Sequence, residues 1–188
     1  MLVSLICKCI DEKITGSEGF ELPKTAWSKE GVMRAVGSIL KESTPLFESM
    51  IKQFDLYHEL YAIIENILYQ GKKIPYSPDE KAVSIGVMFG FLTEKNGQVV
   101  IANRIFEMYL LNFFMTKEAI ESEIYRRGGS DRIQFIKNNR LDMELVLQKF
   151  VIHFHEIYSE KDMNFVEKYG RKFFLLYLKP IFKGTGNY

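Results

Sequence analysis

Cysteine, tryptophan and charge imbalance are what this chain has least of. Among 188 residues there are two cysteines and one tryptophan. Cys7 and Cys9 lie in a Cys-Lys-Cys stretch that reads as helix, where positions i and i+2 point to opposite sides. They suit neither a disulfide nor a shared metal ion, and read as small buried residues. The formal net charge is +1, too balanced for the molecule as a whole to act as a binder of nucleic acid or anionic membrane. No run approaches the roughly 18 apolar residues of a membrane span. The N-terminal MLVSLICKCIDEK carries its charges on the wrong side of the apolar stretch for a signal peptide, so the expected compartment is the cytoplasm.

Motifs that would carry chemistry are also missing. Gly71 is the only glycine followed by lysine; neither a Ser/Thr after Lys72 nor a glycine at position 66 completes a Walker A loop. ATP hydrolysis by this chain alone is not expected. Pro78-Asp79-Glu80-Lys81 spells a fragment of the PD-(D/E)XK nuclease signature. That chemistry needs separated acids converging on a metal, and contiguous letters at a helix start fan apart and read as a cap. His153 and His155 are two apart on a helical pattern and diverge, whereas metal pairs favour spacings of three or four. His58 stands alone. No catalytic, cofactor-binding or metal residue is assigned, and no cofactor is expected.

A hydrophobic content of 47% with 14% aromatics places the chain among folded globular proteins, long enough for one generous core or two small ones. Charge is unevenly spread: residues 1–65 carry net −3 and the remainder +4. The period of the apolar residues predicts helices almost throughout. Leu2–Ile14 reads as the tail of an amphipathic helix that begins without a cap, as if something precedes it. Gly16–Thr25 is a polar connector. Ser28 is an expected N-cap, and a second helix is expected to begin at Ser43 or Thr44, with Pro45 at its first position. A third helix runs to Tyr69 and is stopped by Gly71. Ser77, Pro78 and Glu80 form an expected capping box for a helix ending at Gly90.

GFLTEKNGQVVIANRIFEMYLLNFF, from Gly90 to Phe114, changes period twice. Asn96-Gly97 is a strong hairpin signal because both residues tolerate positive φ, and Val99, Val100 and Ile101 suit the return strand. Helices followed by a two-stranded hairpin are the order of a winged-helix module. Its groove-facing helix, Asp79–Phe89, would be short of Arg, Asn and Gln to pair with base edges. Beyond the hairpin, Thr116 is expected to cap a short helix to Arg127, and Gly128-Gly129-Ser130 to break the chain. Helices are then expected over Asp131–Lys137, Asp142–Tyr158 and Lys161–Leu178, the last stopped by Pro180. The fold class expected is mainly α with one small β-hairpin, as a winged-helix-like module plus a helical module.

One basic run remains, Tyr125 to Arg140. Arg126, Arg127, Arg132, Lys137 and Arg140 face only Asp131, with Tyr125 and Phe135 interleaved. It is a candidate phosphate contact or a solvated linker.

Three segments together resemble a known family: IPYSPDEKAVSIGVMFGFLTEKNGQVVIANRIFEMYLLNFF, DRIQFIKNNRLDMELVLQKFVIHFHEIY and GRKFFLLYLKPIFKGTGNY. They look like the central region of bacterial and archaeal AAA-ATPase-like proteins that carry a C-terminal PD-(D/E)XK nuclease-like domain. The resemblance is most specific in IANRIFE and in FLLYLKPI with GTGNY. It implies the end of an ATPase-lid helix with a connector over 1–27, a winged-helix-like domain over 28–127, and a helical domain over 128–188 leading toward a nuclease-like domain. With the ATPase and nuclease motifs lacking, no catalytic residue carries over. The function implied is a non-catalytic regulatory or linking region that contacts flanking ATPase and nuclease-like domains or a second protomer. The alternative is a DNA-binding module using residues 125–140.

Overall fold

The structure is a computed structural model that describes residues 1–137, 140–158 and 163–182, the side chains of 163, 164 and 166–168 aside. The expected start of the last helix at Lys161 and the GTGNY segment lie outside the described residues. The chain is mostly helical and forms two compact units: Met1–Ile64 with Ile74–Tyr109, and Glu65–Lys73 with Leu110–Tyr188.

The first unit opens with α1 (Leu2–Cys9), which continues as a π-helical segment over Ile10–Ile14. A short α2 (Pro23–Ala26) lies in the expected connector. Next come α3 (Lys29–Ile39), capped by Ser28 as the sequence predicts, and α4 (Pro45–Leu56), capped by the second of the two expected candidates. Ser28 accepts from the Gly31 N–H at 3.3 Å, and Thr44 from the Phe47 N–H at 3.4 Å. α5 (His58–Glu65) crosses into the second unit and passes into a π-helical segment, Asn66–Gln70, that ends at Gly71 in the left-handed region.

The helix α6 (Lys81–Met88) departs from expectation at its start. The Glu80 N–H turns back to the Ser77 carbonyl at 3.3 Å, leaving Glu80 extended and in the N-cap position with no side-chain bond. Ser77-Pro78-Asp79-Glu80 closes as a turn, so the expected capping box does not form. Gly90 ends the helix region at φ +75° as predicted.

The hairpin of β2 (Leu92–Lys95) and β3 (Gln98–Ile101) turns through Asn96 and Gly97, both at positive φ. Lys95 pairs with Gln98, and the Glu94 carboxylate accepts from the Gly97 N–H. It is not two-stranded. β1 (Ile74–Pro75) pairs antiparallel with β3, giving the order β1-β3-β2. Pro75 has no N–H to donate and sits on an edge strand, where that loss is tolerated. Beneath the sheet the core is aromatic: Phe91 meets Phe54 and Phe106 edge-on at 6.4 and 6.2 Å, and Tyr109 stacks on Phe47 at 3.7 Å. Gly97→Ala is expected to cost about 1 kcal/mol, because its φ of +73° strains any L side chain. A lower urea midpoint at unchanged slope checks it.

α7 (Arg104–Ala119) is capped by Asn103, whose Oδ1 accepts from the Phe106 N–H at 2.9 Å. It runs straight through Thr116, the expected start of a new helix. The following helix, α8 (Glu123–Asp131), is capped instead by Ser122. Nor do Gly128 and Gly129 break the chain; both lie inside α8. A Cβ on Gly128 would stand 2.2 Å from the Tyr177 carbonyl oxygen, so this glycine permits two helix backbones to touch. Its local helix penalty is outweighed by that packing.

The helix expected over Asp131–Lys137 is replaced by a 3₁₀ turn, Arg132–Phe135, and a second small sheet. β4 (Ile136–Lys137) pairs with β5 (Arg140–Leu141). The single hairpin expected becomes two sheets. Fully buried Phe135 lies edge-on to Tyr177 at 6.1 Å, and its carbonyl accepts from the Asp142 N–H at 2.8 Å, which closes the excursion. α9 (Met143–Tyr158) begins at Asp142, whose Oδ1 accepts from the Leu145 N–H. α10 (Met163–Phe182) includes Pro180. Proline in the last turn forfeits only the bond to the carbonyl four residues earlier, and Ile181 beyond it is fully buried, so packing carries the helix past the expected stop.

Candidate functional site

The five basic residues singled out by the sequence do not form one patch. Arg126 and Arg127 lie on α8, Arg132 in the 3₁₀ turn, and Lys137 faces Arg140 across the β4–β5 pair. Arg127 is engaged by Glu123 at 3.2 Å and Glu156 at 3.5 Å, and Lys137 by Asp142 at 3.0 Å. The Leu145 N–H and then the Lys137 ammonium hold the Asp142 carboxyl below the ordinary carboxylate range. Arg126 and Arg140 are exposed and Arg132 partly so. The positive charge available to a phosphate is thus smaller and more divided than a run of five suggests. Asn138 and Asn139 of the run lie outside the described residues.

Asp131, read from sequence as the lone acid in that run, is the centre of a buried polar cluster. Its Oδ2 lies 2.6 Å from His153 Nε2 and accepts from the Tyr177 hydroxyl at 2.9 Å. Three helices, α8, α9 and α10, each contribute one member. The other ring nitrogen of His153 lies 3.3 Å from Glu156 Oε2. Tyr177 is fully buried, and that burial, with the Asp131 carboxylate beside it, pushes its hydroxyl far above the ordinary phenol range. The phenol therefore stays a donor. The His153 and Asp131 side chains are 11% and 17% exposed, which leaves little room for a substrate to reach them; the arrangement holds helices together. His155 faces outward, so the two histidines diverge as the helical period requires.

No sequence signal could have found this cluster, since its members are 22 and 46 positions from Asp131. The same is true of Lys172, buried on α10, where the ammonium meets Glu118 at 2.9 Å and Glu65 at 3.5 Å and lies over the Tyr69 ring at 5.4 Å. A buried cation needs such partners. Removing the charge from Lys172 with Lys172→Ala is expected to cost about 3 kcal/mol, read as a fall in the urea midpoint.

A third feature is on the surface. α6 buries Ala82, Val83, Ile85 and Gly86, and turns Lys81, Ser84, Val87 and Met88 to solvent. Met88 is 71% exposed, with Val87 and Phe89 more than a third exposed beside it. Near the N-terminal end of α6, Lys81 Nζ lies 5.6 Å over the Tyr57 ring, next to Leu56, which is 68% exposed. In the second unit, Ile133 in the 3₁₀ turn is 88% exposed.

Among the described residues no group of three or more His, Cys, Asp or Glu could hold a metal ion, and no helix is long and apolar enough to cross a membrane. No protein-family model, curated protein or solved structure gives a significant match to the chain.

Proposed function

We propose that this chain is a non-catalytic, contact-making region of an ATPase- and nuclease-like protein, relaying between neighbouring domains or holding protomers together. The observation that carries the reading is the solvent face of α6 together with the residue that follows it. It presents Val87, Met88 and Phe89 where a base-reading helix would present Arg, Asn or Gln. Exposed apolar side chains of this kind are suited to protein contact. The strand order β1-β3-β2, with α6 between β1 and β2 in sequence, supports a winged-helix-like reading of the first unit.

The test is to place a photo-crosslinking side chain at position 88 in the protein expressed from its complete reading frame. Crosslinked peptides from a flanking ATPase or nuclease-like domain, or from a second protomer, are expected. Crosslinks to none of these would sink the proposal. Sequencing the DNA on either side for in-frame Walker A and nuclease motifs tests the parentage.

A second reading, duplex DNA as partner, is favoured by the exposure of Arg126 and Arg140. Labelled duplex binding that persists at about 0.15 M salt, where charge screening is strong, and is lost in Arg126→Glu with Arg140→Glu, would move the assignment to DNA. Binding that is absent, or indifferent to the reversal, removes it.

A further inference from the structure

We infer that the chain associates head to tail with further copies of itself, the apolar patch of the first unit receiving the tip of the second unit of another copy. The inference deepens the contact-making reading and rests on it.

On the receiving side, Leu56 and Tyr57 meet the solvent line of α6 at Lys81, with Ser84 and Met88 exposed further along it. Lys81 lies over Tyr57, and Lys81, Ser84 and Met88 share one line of α6 at spacings of three and four. Four exposed carboxylates lie within two residues of the Tyr57–Lys81 contact: Asp55, Glu59, Asp79 and Glu80. Against the single Lys81 ammonium at its centre, these four carboxylates leave the surroundings of Leu56, Tyr57 and Met88 net acidic. On the entering side, Ile133 is 88% exposed and Ile136 just over a third. Arg132 and Arg140 flank them, and Lys137 is paired with Asp142. That tip is apolar with a basic rim.

Opposite charge around matching apolar centres is the arrangement that steers and orients association. The chain's overall charge of +1 reflects separation of charge, not scarcity of it, so little net repulsion opposes self-contact. Because the two surfaces differ, the contact is heterologous. It can add copies in series without a symmetric dimer forming first. Both surfaces are small, which places the contact among weak, transient ones.

Light scattering and sedimentation across a dilution series test it, with the wild type and two surface variants: Arg132→Glu with Arg140→Glu, and Asp55→Lys with Asp79→Lys. The wild type is expected to gain mass with concentration and to lose most of that gain in about 0.5 M salt, where the screening length falls to about 4 Å. Each variant alone is expected to associate at least about tenfold more weakly. Mixed in equal amounts, the two are expected to recover association, because the first variant's acidic-rimmed patch meets the second's basic-rimmed tip and the two reversed surfaces also carry opposite charge. A chain that is monomeric at every concentration, association indifferent to salt and to both variants, or a mixture that does not pair overturns the inference. Any of these leaves the position-88 crosslinks to flanking domains to judge the broader proposal separately.

Discussion

Gly128→Ala is expected to destabilise the second unit by about 3 kcal/mol or more, lowering its thermal midpoint by roughly 12–24 °C. An added Cβ would meet the Tyr177 carbonyl oxygen at 2.2 Å and its carbonyl carbon at 3.0 Å. These are backbone atoms within α10, so neither can rotate aside. α8 and α10 would have to move apart, loosening Ile124, Phe135 and Leu176, all fully buried. Gly129→Ala is the matched control. Its Cβ would sit 3.7 Å from Pro180, an ordinary contact, and replacing glycine by alanine within a helix otherwise gains roughly 0.5–1 kcal/mol. Equal effects at the two positions would show that Gly128 is a helix-propensity defect and not a packing requirement. Denaturant titration followed by circular dichroism decides between them.

Asp131→Ala is expected to cost a further roughly 3 kcal/mol class of stability by a different route. It strips the shared acceptor from His153 and Tyr177, and a buried donor left without a partner costs about 1–3 kcal/mol. Tyr177→Phe removes only one donor and keeps the ring, so its cost is expected near 1 kcal/mol at neutral pH. The two variants part at alkaline pH. A phenol whose folded value is raised contributes stability that is fully present below the unfolded value, near 10. That stability declines as pH rises beyond it, because the unfolded chain releases the proton first. The wild type should therefore lose stability steadily above about pH 10, with Tyr109 and Tyr158, also raised by burial, contributing in the same direction. Tyr177→Phe should flatten that slope. A slope unchanged in Tyr177→Phe would show that its hydroxyl is not held as the geometry indicates.

Legibility from sequence followed the range of the interaction involved. Ser28 and Thr44 were readable as caps because each side chain bonds an N–H only three residues ahead. Asn96-Gly97 and Gly90 were readable because positive φ is a property of one or two residues. Ser77 failed as a cap although its letters were right: Glu80 turned back to its carbonyl, and helix and turn compete for the same groups. Thr116 has the letters of a cap as well, yet lies within α7, where its hydroxyl accepts from Lys179 Nζ at 2.7 Å. That lysine is 63 positions away, beyond any local pattern.

Composition and period by themselves determined that the chain is mainly α, that a hairpin turns at Asn96-Gly97, and where helices such as α3 and α4 begin, since each depends on groups within about one helical turn. Only the tertiary structure decided that Gly128 joins helices instead of ending one, that Pro180 sits inside α10, that Ile74–Pro75 completes a sheet, and that a run of five basic residues is divided and partly neutralised. Those outcomes depend on backbones and charges brought together from distant parts of the chain, where burial and close packing outweigh local preference.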